Sequence, residues 1–177
     1  MEEKEEMKEF EQEGESKFKK IFIFVAGIIS LILILSYVFV GPLGDIIRGQ
    51  LESTPLEGNQ IDLEDFSIIF ENDVHKELQE IYFDEQKVEF SVCLQGEKLK
   101  DIYQITSLYQ PKMFEQTFNH VSFESCSEDS LIILHSHPYK SCLASQTDLN
   151  TLKSTQKRNA DILMVVMCEP ARFSVYS

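Results

Sequence analysis

The hydrophobic pattern of the chain is dominated by one uninterrupted run. Ile21 to Val40 is twenty residues without a charge, rich in Ile, Leu, Val and Phe. At 1.5 Å per residue, a helix of that length spans about 30 Å, the thickness of a bilayer's hydrocarbon core. A buried soluble helix is the weaker alternative, because nothing else in the chain is available to surround it. A cleavable signal is weaker too, since its apolar stretch is usually about 7 to 15 residues and ends in small residues at the cleavage position. The run therefore reads as a membrane anchor, ended by Gly41-Pro42.

Beyond the anchor the period changes. Residues 43 to 64, with Pro55, Gly58 and several acids and amides, read as a linker. Phe66 to Phe70 reads as a short strand, and Glu71 to Phe83 places Val74, Leu78, Ile81 and Tyr82 at helical spacing, with Asn72 or Asp73 as cap. Val88 to Leu94 alternates strictly, so Val88, Phe90, Val92 and Leu94 face a core while Glu89, Ser91 and Cys93 face the other way. Asp101 to Tyr109 supplies a partner strand, and Lys112 to Asp129 reads as a short helix followed by a strand through Val121 to Phe123. Leu131 to Leu134 is a buried strand. Ser145 to Arg158 is a helix whose Lys153, Lys157 and Arg158 suit the negative end of its dipole. Ile162 to Cys168 is a central strand, and Arg172 to Tyr176 follows a turn at Glu169-Pro170. Helices and strands interleaved around one core predict an α/β domain over residues 65–177.

Charge narrows the partners. With 16 basic and 30 acidic residues the formal charge is -14, and no basic stripe carries interleaved aromatics, so nucleic acid is an unsuitable partner. Residues 1–20 form an acidic tail: residues 2 to 15 hold eight Glu against Lys4 and Lys8, the pattern of a solvated, disordered or loosely helical segment. Lys17, Lys19 and Lys20 precede the anchor and only Arg48 follows closely, which by the positive-inside bias places the N-terminus in the cytoplasm and the domain outside. Of the four cysteines, Cys93 and Cys168 fall in apolar strand-like runs and read as buried free thiols, whereas Cys126 and Cys142, in loop-like stretches, can pair on an oxidising side.

The candidate chemistry lies near the C-terminus. His135-Ser136-His137-Pro138 is followed by Ser145 and then Asp148. Alternate residues of a strand share a face, so two imidazoles converge on one ion; Asp148 supplies a third ligand, leaving a fourth position open as a catalytic zinc site requires. Ser145-Gln146-Thr147-Asp148 is equally a helix-capping sequence, and taken alone that is the better reading. The His-x-His-Pro just before it shifts the balance, because five such fixed positions match by chance about once in 10⁵ chains of this length. The two readings are compatible, since a capped helix start fixes where Asp148 points. His75 reads as an exposed helical residue and His120 as a loop residue.

At these residues the chain resembles the JAMM (MPN+) metallopeptidases, whose signature is a distant Glu, then H-x-H-P, then S-x-x-D. Their Glu lies in an E-x-x-G-x-L-x-G segment; Glu89 to Gly96 keeps the Glu, Leu94 and Gly96 but has Val92 for the first Gly. Glu85 and Glu97 lack Leu and Gly at the matching offsets. The resemblance implies an MPN (JAB, cytidine-deaminase-like) fold with a mixed sheet. It implies Zn2+ held by His135, His137 and Asp148, Glu89 as proton carrier and Ser145 as donor to a developing oxyanion. It further implies hydrolysis of a peptide or isopeptide bond in a protein substrate, such as a ubiquitin-like modifier conjugate. Because many such relatives act inside cells, it opposes the charge-based orientation. An inactive binding or scaffold module at the membrane is the alternative, motivated by Val92.

Overall fold

The structure is a computed structural model and describes residues 2–40 and 42–177. It divides into two units, Met1–Gly44 and Asp45–Ser177.

In the first unit, helix α1 runs Glu2–Val40 and includes the acidic stretch expected as a solvated, disordered or loosely helical tail. Its Lys17–Val38 segment has a mean hydropathy of 2.8 and none of it is buried, which makes it long and apolar enough to cross a membrane. Gly41, expected to end the anchor, lies outside the described residues.

The second unit is a mixed α/β domain. Its strands, in chain order, are β1 (Thr54–Pro55), β2 (Gln60–Asp62), β3 (Ser67–Phe70), β4 (Ser91–Leu99), β5 (Ile102–Tyr109), β6 (Met113–Gln116), β7 (Val121–Phe123), β8 (Ser130–Ser136), β9 (Leu163–Glu169) and β10 (Arg172–Tyr176). The helices after α1 are α2 (Pro42–Glu52), α3 (Val74–Asp84) and α4 (Gln146–Gln156). Eight strands form one sheet in the order β1-β10-β9-β8-β4-β5-β3-β2, and β6 and β7 form a separate hairpin. The β8–β9 and β3–β5 pairs are parallel and the others antiparallel.

Two expectations are corrected. The stretch 43–64 is not a plain linker, because it carries most of α2 and the strands β1 and β2, which pair with β10 and β3. Short polar strands of this kind lack the apolar alternation that marks longer ones. The short helix expected after Lys112 is instead β6, held by β7 in a hairpin.

Side-chain parity sorts the domain into layers. Phe90, Val92 and Leu94 of the β4 region, Ile132 and Leu134 of β8, and Leu163, Val165 and Met167 of β9 are buried together with Val74 and Leu78 of α3. On the other face, Ile133 and Met164 pack with Leu152 of α4. Glu89, Ser91 and Cys93 share the parity of that second face, as do His135 and His137, because β4 and β8 pair Ser91 with His135 and Cys93 with Ile133. The sheet thus delivers the candidate residues to the side where α4 begins.

Gly96 sits at a register shift between β4 and β5. A Cβ there would lie 1.9 Å from the Gln104 carbonyl oxygen, so no larger residue fits the undistorted pairing.

Candidate metal centre

His135 is the penultimate residue of β8, and His137 follows two positions on, just past the strand. Both backbones are tied into the sheet: His135 faces Val166 in parallel register, and the His137 N–H donates to the Met167 carbonyl at 3.0 Å. The intervening Ser136 turns away from the ligands. Its Oγ accepts the Phe90 N–H at 3.0 Å, and its own N–H donates to the Phe90 carbonyl at 2.9 Å, which locks the start of β4 beside the end of β8.

Asp148 enters from α4. Ser145 is the N-cap: its Oγ accepts the Asp148 N–H at 3.2 Å, while Asp148 Oδ2 accepts the Ser145 N–H at 2.6 Å. This reciprocal pair orients the carboxylate toward the histidines. The Nε2 atoms of His135 and His137 are 3.1 Å apart, and Asp148 Oδ2 lies 3.3 Å from the first and 3.6 Å from the second. Glu89 Oε1 stands 3.8 Å from His137 Nε2. Glu89, His135 and His137 are all buried, at 8%, 2% and 7% exposure, while Asp148 is half-buried and Ser145 exposed, so the cluster opens on the α4 side. His135, His137 and Asp148 could together hold a metal ion.

His137 donates from Nδ1 to the Ser141 carbonyl at 3.0 Å, which turns its Nε2 into the cluster. Burial lowers the His135 pKa below the ordinary histidine range, favouring the neutral ligand form. Burial also pulls His137 down, but the Asp148 hydrogen bond and the charge of Glu89 outweigh it and leave His137 raised. For Asp148 burial opposes ionisation, yet the hydrogen bonds from both histidines hold its carboxyl well below the usual carboxylate range. Burial raises Glu89 above that range, with only partial opposition from His137. The two carboxylates therefore differ in basicity: Asp148 is held toward its charged form and Glu89 is pushed toward its protonated one.

No family model matches the chain, and no curated protein matches it.

The four residues singled out by spacing and Glu89, singled out by resemblance, lie in one region. Glu89, His135, His137 and Asp148 converge, and Ser145 joins them through its exchange with Asp148. The departure at Val92 falls away from the centre, because Val92 is fully buried in the α3-side core while Glu89 has the opposite parity.

Other supporting residues had no signature in the sequence. The β6–β7 hairpin positions Glu89: its N–H donates to the Thr117 carbonyl at 2.7 Å, and its carbonyl accepts from Gln116 Nε2 at 3.2 Å. His120, exposed at the hairpin's turn, exerts a pull on Glu89 that favours its charged form.

Cys126 and Cys142, whose pairing the sequence left open, do not pair with each other, and Cys93 and Cys168 are not the free thiols expected. The disulfides are Cys93–Cys126 and Cys142–Cys168. The face of β4 opposite the main core is covered by chain from beyond the hairpin, which brings Cys126 onto Cys93. Cys168, at the end of β9, meets the loop between His137 and Asp148 at Cys142. That loop also holds Tyr139 and Lys140 at φ 61°, two non-glycine residues in the left-handed region. Such strain persists only where surrounding contacts over-determine it. Cys142–Cys168 and the hydrogen bond from the Ala144 N–H to Tyr176 Oη at 2.9 Å supply them.

Proposed function

We propose that the protein is a membrane-anchored, zinc-dependent peptidase or isopeptidase of the JAMM type, with an MPN-like catalytic domain. The observation that carries this reading is the spacing of the three donor atoms. Tetrahedral ligands about 2.0 to 2.1 Å from zinc lie about 3.3 Å from one another, and the three separations are 3.1, 3.3 and 3.6 Å. Two imidazole nitrogens and a carboxylate oxygen at that spacing repel one another unless they share a cation or proton, and they match the donor set of a catalytic zinc site with one open position.

Zinc, when bound, would supply the Lewis acidity that polarises a carbonyl and acidifies water. The chain's own groups do the rest. Glu89, made more basic by burial, takes the proton of the attacking water and later gives it to the leaving amine. Ser145 uses its Oγ lone pair for the cap, so its O–H remains free to donate to an oxyanion. A cavity between α4 and the Val121–Cys126 segment, lined by Thr147, Thr151, Thr155 and Arg158 with His120, is the place we assign to a polypeptide substrate.

Metal analysis of the purified full chain tests this directly. One zinc per chain is expected, lost in His135→Ala and His137→Ala. Glu89→Gln should retain zinc while losing about 10² to 10⁴-fold in hydrolysis of peptide or isopeptide substrates. Unmutated protein without stoichiometric zinc would end the proposal. Zinc retention with no hydrolysis by either form would favour a binding module instead.

A further inference from the structure

Helix α2 presents three different sides. One is docked: Gly49 packs so closely on Cys142 that an added Cβ would lie 3.0 Å from Cys142 Cβ, Gln50 Nε2 reaches Cys142 Sγ at 3.8 Å, and Arg172 Nη1 donates to the Gln50 and Ser53 carbonyls at 3.3 and 3.2 Å. A second is charged, with Asp45, Arg48 and Glu52, and Arg48 Nε pairs with Glu52 at 2.7 Å. The third is apolar and uncovered. Ile47 is 47% and Leu51 82% exposed, one helical turn apart, and the same four-residue spacing leads back to Leu43.

We propose that this third side is a lipid-docking surface, with Ile47 and Leu51 seated at the boundary between headgroups and acyl chains. The inference rests on reading α1 as a membrane anchor. Chain continuity selects lipid as the occupant. Ile47 is seven residues beyond Val40 and Leu51 eleven, which in helix is about 10 and 17 Å of chain, and at most about 25 and 39 Å if fully extended. A helix with one apolar and one charged side, leashed that closely to a spanning segment, lies along the interface with its apolar side sunk about 5 to 10 Å. The net charge of -14 gives no attraction to anionic lipid, so the contact is apolar and holds on zwitterionic membranes.

The docked side of the same helix gives this a functional consequence. Gly49 and Gln50 clasp the loop between His137 and Asp148. With α2 at the lipid surface, that loop is held close to the bilayer, and the substrates it fits are polypeptide segments near the membrane.

The chain contains no tryptophan, so single substitutions report alone. Ile47→Trp, Leu51→Trp and, as a reference, Phe83→Trp on α3, where Phe83 is 56% exposed, would each be made in the full chain. Each is reconstituted into phosphatidylcholine nanodiscs bounded by a tryptophan-free polymer, with ordinary or brominated acyl chains. Bromine should quench most of the emission of Ile47→Trp and Leu51→Trp and leave Phe83→Trp unchanged, with no dependence on salt. If the chain enters the discs but Leu51→Trp is quenched no more than Phe83→Trp, this inference is overturned while the anchor stands. A chain that does not enter the discs overturns the anchor reading, and this one with it.

Discussion

Ser145 joins the fold to the chemistry through two hydrogen bonds. Its Oγ caps α4 and its N–H holds the same Asp148 oxygen that faces both histidines. Ser145→Ala should therefore cost about 1 kcal/mol in urea unfolding. It should also weaken zinc binding by about 10-fold or more in a chelator competition, whereas Ser145→Thr, which keeps the cap, should restore the affinity. At this scale much was legible in the sequence. The two-residue period of a strand put His135 and His137 on one side, and the capping spacing brought Asp148 to a helix start. Glu89 could be placed on the correct face by alternation, but its burial could not be read. That depends on Gln116 and Thr117 of a hairpin whose sequence carries no turn signal strong enough to announce it. Gly96 was a motif position without an evident reason until the Gln104 carbonyl came within 1.9 Å of where its side chain would begin.

Among the elements, the two disulfides divide the work of holding the centre. Cys142–Cys168 fixes the loop that carries the Ser141 carbonyl and leads to Ser145, while Cys93–Cys126 fixes the segment following the hairpin that supports Glu89. The cysteines of each pair are 33 and 26 residues apart, for Cys93–Cys126 and Cys142–Cys168 respectively, so chain entropy assigns each about 3.5 kcal/mol. Paired removal should separate their roles. Cys142→Ala with Cys168→Ala should lower zinc affinity about 10 to 100-fold as the loop relaxes. Cys93→Ala with Cys126→Ala should cost a similar amount of stability and leave zinc affinity near that of the parent. Equal zinc affinities in the two double variants would remove the loop from the account of the site. The pairing escaped sequence reading because spacing along the chain says nothing about which loop covers which face. For the same reason α2, β1 and β2 passed for a linker, since their partners are β10, β3 and the Cys142 loop. The longer elements α3, β4, β5, β8, α4, β9 and β10 were legible because each carries its own period.

On the scale of the whole molecule, the proposed anchor carries an expectation about orientation. On the proposed anchor reading, two disulfides call for an oxidising compartment, and three lysines before the apolar helix against one arginine soon after it predict a domain outside the cytoplasm. Protease added to intact cells should remove residues 45–177 and spare the first twenty; a domain protected until lysis would reverse the orientation.

The sheet order also carries a consequence for biosynthesis. β1, the first strand made, pairs with β10, and β9, which backs both histidines in parallel register, lies between β10 and β8. A growing chain that already contains its long apolar helix and both histidines still lacks the strands that seat them. The donor cluster is therefore complete only once residues 163–176 have been made and have paired with β1 and β8.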